Sequence, residues 1–404
     1  MKVCKRMISI AAIFSMCLPG MFFASDKKLT VISEGPMAID KAHLEKAAGM
    51  MNMGISWLLD HRDEKGVWSG KNGAFRPALT GLVLKGLLQH PDFTSESEVV
   101  KNGFKVLLGY QQEDGGVYNP REGRSNYCTS IAVCALAEAN DPKYKAAMEK
   151  AVKFLRDIQI KPGSKSRDPK KEGETIGEDH PYVGGVSYGA KHGRPDLNNL
   201  GWWMEAMYEA GVEAEDPAMQ RALAFVNRCQ NRSESNPMAW AKTDDGGFIY
   251  APARRDVTEA ESKAGEAPGG GLQSYGSISY TAWKSMLYAG VSRDDPRIKS
   301  LYAWVRKHWT LTQNPNMPEE RNQQGLYFYY VVFARALRGW QIDEVPDIDK
   351  DKPAHNWRHE LIDVLAEKIN DDGSWSNKAD RWMEGDPTLV TAYEILALAE
   401  VLGR

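Results

Sequence analysis

The sequence is short of cysteine, with 5 in 404 residues, and it carries no excess of charge, the net value being −3. So few thiols exclude a disulfide framework. Beyond the N-terminal segment only Cys128, Cys134 and Cys229 remain. They are odd in number and lack Cys-x-x-Cys spacing, which argues against structural zinc, and they read as small buried thiols. No basic block stands out, so nucleic acid is excluded as a partner. No apolar run reaches the length of a membrane span except one near the start, and that one is too short, so no stable span is expected. What is present is ordinary for a globular chain: 42% hydrophobic and 26% charged residues, with 12 Trp and 10% aromatics to supply a ring-lined pocket.

Residues 1–25 read as a secretory signal. Lys2, Lys5 and Arg6 precede an apolar stretch from Met7 to Cys17, Leu18-Pro19-Gly20 breaks it, and cleavage is expected after Ala24 or Ser25. The chain is therefore expected to be exported, to the periplasm or beyond the cell. Residues 26–44 form a lead-in and residues 45–404 a single repeat domain.

That domain is built from six similar units. Each opens with an amphipathic helix, its apolar residues spaced as in Met51/Gly54/Ile55/Leu58 or Ala151/Phe154/Leu155/Ile158. A glycine-aromatic signature follows: Gly66-Val67-Trp68, Gly115-Gly116-Val117-Tyr118, Gly184-Gly185-Val186, Gly246-Gly247-Phe248, Gly325-Leu326-Tyr327 and Gly373-Ser374-Trp375. A second helix then comes, apolar nearly all round, as over 129–138, 200–210, 277–289, 327–337 and 389–402. A helix without a polar face must be buried on every side. Six striped and six buried helices in alternation predict an all-α fold, an (α/α)6 toroid with the buried helices inside and the amphipathic ones outside.

The two rims of such a ring differ. Connections from inner to outer helix begin with Asp141-Pro142, Asp216-Pro217 or Asp295-Pro296, an N-cap followed by a proline at the first helical position. Connections from outer to inner helix carry long insertions at 161–181, 251–271 and 312–324. Variable loops gathered on one face of a rigid scaffold are where function usually resides.

Gln111-Gln112-Glu113-Asp114-Gly115-Gly116 and Asn370-Asp371-Asp372-Gly373-Ser374-Trp375 resemble the repeats of the squalene–hopene cyclase and prenyltransferase family. The resemblance spans residues 45–402 and implies the terpenoid-cyclase-like toroid. Cyclases of that family protonate an alkene with Asp-x-Asp-Asp, the third residue being the donor. The matching run here is Asp196-Leu197-Asn198-Asn199, with an amide at the donor position. Prenyltransferases hold zinc through Asp-x-Cys, and Asn126-Tyr127-Cys128 lacks the carboxylate; a thioester Cys-Gly-Glu-Gln run is absent. No metal or cofactor is expected.

Candidate site residues therefore come from the loop-bearing rim. His192, Asp196, Tyr275, Glu384 and Asp386 are candidates for acid–base work. Tyr188, Arg194, Asn198, Trp202, Tyr250, Gln324, Tyr327 and Trp382 are candidates for holding a small-molecule or glycan ligand in the central cavity. Asp196 and Asp386 also stand where helix caps are needed, and Tyr327 has core spacing. Two functions stay open: a divergent enzyme acting on an isoprenoid or a glycan, and a binding toroid that kept the pocket without the acid.

Overall fold

The computed structural model describes residues 39–165, 173–189, 193–253 and 260–404. Twelve α-helices run through them. The outer helices are α1 (Lys41–Asp60), α3 (Glu98–Leu108), α5 (Lys145–Ile158), α7 (Pro217–Asn227), α9 (Pro296–Lys307) and α11 (Trp357–Lys368). The inner ones are α2 (Arg76–Leu88), α4 (Ser125–Ala139), α6 (Leu197–Glu209), α8 (Gly276–Tyr288), α10 (Leu326–Gly339) and α12 (Pro387–Val401). One two-stranded ribbon, β1 (Glu344–Val345) against β2 (His355–Asn356), lies between α10 and α11. None of these helices is long and apolar enough to cross a membrane.

Each inner helix packs against the next, and α12 packs against α2, which closes the ring. Each outer helix docks on the inner helix before it, α1 docking on α12. The fold is an (α/α)6 toroid. Its outer-helix starts follow from the Asp-Pro pairs: Asp216 accepts the Ala218 N–H at 2.8 Å and Asp295 accepts that of Arg297 at 2.9 Å.

The signatures join neighbouring units. Gly184 has φ +86°, and a Cβ there would fall 1.9 Å from the Arg221 carbonyl oxygen, so the turn meets the next outer helix only because the side chain is missing. Gly373 makes the corresponding approach to Met53 of α1 and thereby joins the last unit to the first. Glutamines before the signatures complete the join: Gln111, Gln159 and Gln230 each donate from Nε2 to their own signature glycine and to the first turn of the next outer helix.

The inner helices are less apolar than their sequences suggest. Toward their C-terminal ends they send Lys85, Glu205, Glu209, Lys284, Arg335, Arg338 and Glu400 into the axis of the ring. Glu205 pairs with Lys284, with Arg335 at 2.6 Å and with Lys85 at 3.6 Å; Lys85 also pairs with Glu209, and Arg338 with Glu400 at 2.8 Å. Three cations hold the Glu205 carboxyl well below the usual range although burial opposes ionisation. This ion-pair cluster plugs one end of the ring. Cys128, Cys134 and Cys229 are buried free thiols.

Candidate functional site

The other end of the ring is open. A cavity of about 170 Å3 lies where the N-termini of all six inner helices converge, on the rim that carries the signatures and insertions. Phe75, Ala78 and Leu79 come from the start of α2, and Arg124 and Tyr127 from that of α4. Tyr188, Asn198, Tyr250, Tyr275, Ser277 and Ile278 form the side built by units three and four. Gly325, Phe328, Trp382, Met383, Glu384, Leu389 and Tyr393 complete it from units five and six.

On the cavity lining the Tyr127 and Tyr393 hydroxyls lie 3.2 Å apart. Trp202 sits under Tyr127, edge to face at 6.2 Å, and over the cations of the plug, Lys284 at 5.5 Å and Arg335 at 5.4 Å. The order along the axis is thus mouth, aromatic cavity, Trp202, ion pairs.

Among the described residues Glu384 is the carboxyl on the lining. It is buried, its Oε1 accepts the Phe328 N–H at 2.9 Å, and its Oε2 accepts Asn377 Nδ2 at 2.7 Å. The local reason is the start of α10: Gly325 is left-handed (φ +68°) and has no side chain to cap the helix, so a carboxylate from unit six does so. Burial outweighs these bonds and pushes the Glu384 carboxyl up to about 7. Burial also raises the Tyr188, Tyr250, Tyr275 and Tyr393 phenols, which stay neutral. Among the described residues Arg124 is the cation on the lining, its guanidinium 3.9 Å from the Phe75 ring centre and 5.9 Å from that of Tyr188.

The backbone is strained at this mouth. Eight described non-glycine residues have positive φ, and three of them, Phe75 (54°), Trp382 (63°) and Met383 (69°), line the cavity. Such conformations cost of order 1–3 kcal/mol each and gather at functional sites.

Six of the residues expected from sequence line the cavity: Tyr188, Asn198, Tyr250, Tyr275, Trp382 and Glu384. Of the others, the six that are described lie elsewhere. Asp196 is buried behind the wall as the cap of α6, Oδ1 accepting the Asn199 N–H at 2.9 Å and Oδ2 its Nδ2 at 2.8 Å. Asp386 caps α12 through the Thr388 N–H at 2.9 Å. Arg194 pairs with Glu261, which also takes Lys263; the two cations flank the Tyr250 ring at 5.4 and 4.5 Å. Trp202 lies beneath the cavity, Tyr327 packs into the core against Tyr330, and Gln324 is in the turn before α10. His192 lies outside the described residues. Part of the 312–324 insertion is structural, since Asn314 Oδ1 accepts the Ser277 N–H at 2.9 Å at the start of α8. Sequence reasoning missed Phe75, Arg124, Tyr127, Phe328 and Tyr393. Their one available signal was their place at the starts of inner helices.

No family model and no curated protein matches the sequence. Solved structures match over nearly the whole chain. A variant of the type II terpene cyclase MstE from Scytonema, in complex with its product merosterolic acid A, is 14% identical over 90% of this chain and 99% of that one, with a TM-score of 0.51. A possible member of the GH105 family from Salmonella enterica is 11% identical over 93% and 97%, with a TM-score of 0.52. A protein from Actinoplanes is 15% identical over 89% and 100%, with a TM-score of 0.50. At these identities the likeness is one of fold. The chain shares the α/α toroid fold of a terpene cyclase and a glycosidase-type protein alike.

Proposed function

We propose that this chain is an exported, divergent toroid enzyme that binds a compact, largely apolar small molecule in the mouth cavity and moves a proton there through Glu384. The observation that carries the reading is a buried carboxyl on an aromatic-lined cavity, brought by burial to about 7. Such a group is half-protonated at neutrality, where general acid–base catalysis is most effective. Arg124, Asn198 and the phenols supply the few polar contacts that orient a ligand among apolar walls.

The same value limits the reaction. A carboxyl near 7 is too weak an acid to make a carbocation from an alkene, and the position matching the family's donor is the amide of Asn198. The substrate must instead offer a group that exchanges a proton near neutrality. Among the described residues the lining has one carboxyl, whereas glycoside hydrolysis ordinarily uses a flanking pair. This favours an isoprenoid-like body over a glycan. A binding toroid without turnover is the second reading, favoured by the engagement of both Glu384 oxygens.

The test incubates the protein with panels of isoprenoids and oligosaccharides, reading thermal shift and, by mass spectrometry, product. Isoprenoids are expected to stabilise, and Glu384→Gln to keep that stabilisation while lowering turnover about 10²–10⁴-fold. Binding without turnover in the wild type would establish the second reading. Stabilisation by sugars alone would overturn both.

A further inference from the structure

The cavity lining that carries Glu384 also carries a pair of phenols, Tyr127 from the first turn of α4 and Tyr393 from α12. Their oxygens are 3.2 Å apart although the residues are 266 positions apart in the chain. Each is the other's hydrogen-bond partner, and among the described residues neither has a second. One O–H is therefore engaged within the pair. The other remains to donate to a ligand, polarised by the bond it receives. Burial pushes the Tyr127 phenol up to about 12 and raises that of Tyr393, so both keep their protons at neutrality.

The surroundings favour an acceptor that gains negative charge. Six inner helices direct their N-terminal, partially positive ends at the cavity, and the Arg124 guanidinium acts in the same sense on the Tyr127 oxygen. The Glu384 carboxylate adds to the effect of burial on Tyr393, which puts the two groups within electrostatic reach of each other. Each Glu384 oxygen accepts one hydrogen bond and keeps a lone pair for a proton. A proton acceptor and a donor pair for an oxyanion thus share one aromatic-walled cavity.

We infer that the chain is an enolising isomerase of a β,γ-unsaturated ketone on a compact isoprenoid-like body, with Glu384 moving the proton and the Tyr127–Tyr393 pair holding the ketone oxygen. The inference rests on the proton-transfer role given to Glu384. The Glu384 carboxylate removes the proton from the carbon between the ketone and the alkene. The C–H electron pair becomes a carbon–carbon double bond, and the carbonyl π pair moves to oxygen, where the free phenol O–H donates to it. Protonated Glu384 then returns the proton to the γ carbon of this dienolate. The carbonyl re-forms, the alkene ends conjugated with it, and Glu384 is a carboxylate again. No oxidant, reductant or co-reactant is consumed. A carboxyl present in both forms near neutrality serves both halves of the reaction, first as base and then as acid.

The experiment incubates the full chain in deuterated water with a cyclic β,γ-unsaturated ketone of monoterpene size. Ultraviolet absorption should rise as the conjugated ketone forms, and mass spectrometry should find deuterium in the product. The Tyr127→Phe/Tyr393→Phe double variant should lower kcat about 10²–10³-fold with little change in KM. Each single variant should lose less, because the remaining hydroxyl still donates. A naphthol, which offers the flat body and oxygen of the dienolate, should inhibit the wild type, a readout that needs no variant to fold. Stabilisation of the wild type by the ketone with neither isomerisation nor deuterium uptake would overturn this inference alone. Absence of stabilisation by every isoprenoid, the ketone included, would overturn it together with the reading it rests on. Undiminished turnover in the folded double variant would overturn the role of the phenols.

Discussion

Glu384 accepts the backbone N–H of Phe328 at 2.9 Å, so the carboxyl that lines the cavity also caps the inner helix behind it. One side chain thus links the ligand site to the architecture. Burial makes its ionisation expensive, and the helix start makes its removal expensive.

The first prediction follows from that coupling. Glu384 has a folded-state value near 7 against an ordinary 4.5. Its stabilising contribution is fully present below about 4.5, falls as pH rises, and is lost once pH passes about 7. The loss is about 3 kcal/mol. Glu384→Gln cannot ionise, so urea unfolding at pH 5 and pH 8 should show a smaller fall than the wild type does. Equal falls in both proteins would refute the assignment.

Trp382 is 39% exposed, left-handed and on the cavity lining. Trp382→Gly relieves the backbone and gives up the partial burial of the ring, and because these effects oppose each other its unfolding free energy should stay within about 1 kcal/mol of wild type. Ligand-induced thermal stabilisation should fall in the same variant. A large loss of stability would show that Trp382 serves the fold and not the mouth.

At the plugged end, removing one member of the cluster leaves buried charge without a partner. Glu205→Ala should cost about 3–5 kcal/mol. Asp216→Ala, on an outer-helix start, removes a cap and should cost about 0.5–2 kcal/mol while leaving ligand affinity unchanged. Chemical denaturation of both variants checks the ranking, and the reverse order would contradict the role given to the plug.

The repeat was legible because each unit states it locally, in the helix stripe, the glycine turn and the buried helix. The plug was not. Lys85, Glu205 and Arg335 are charges set among apolar neighbours in their helices, and what neutralises them comes from across the ring. Six of the expected residues stand off the cavity lining, two of them for a similar reason: Asp196 and Asp386 have the chemistry of acids but are engaged by helix starts. Insertions pointed to units three, four and five, whereas Phe75 and Arg124 come from units one and two, which carry none of them. The left-handed backbone at Phe75 left no glycine to announce it.

Asn198 lines the cavity and is third in the run Asp196-Leu197-Asn198-Asn199, which resembles an Asp-x-Asp-Asp motif with amides in place of its last two acids. Asn198→Asp should not create cyclisation of squalene-like substrates. A new carboxyl there would lack the neighbouring acid, since Asn199 is an amide engaged by Asp196. Product analysis by mass spectrometry decides it, and cyclic products from either the wild type or the variant would contradict the limit on acidity.

The central claim is that the ligand occupies the mouth formed by the six inner-helix N-termini, beside Glu384. Its most direct test is photolabelling with an isoprenoid alcohol carrying a diazirine, followed by mass-spectrometric mapping of the labelled peptides. Labels are expected on residues 75–79 and 382–393, suppressed by excess unlabelled alcohol. Competed labelling confined to the outer helices or to the plugged end would contradict it.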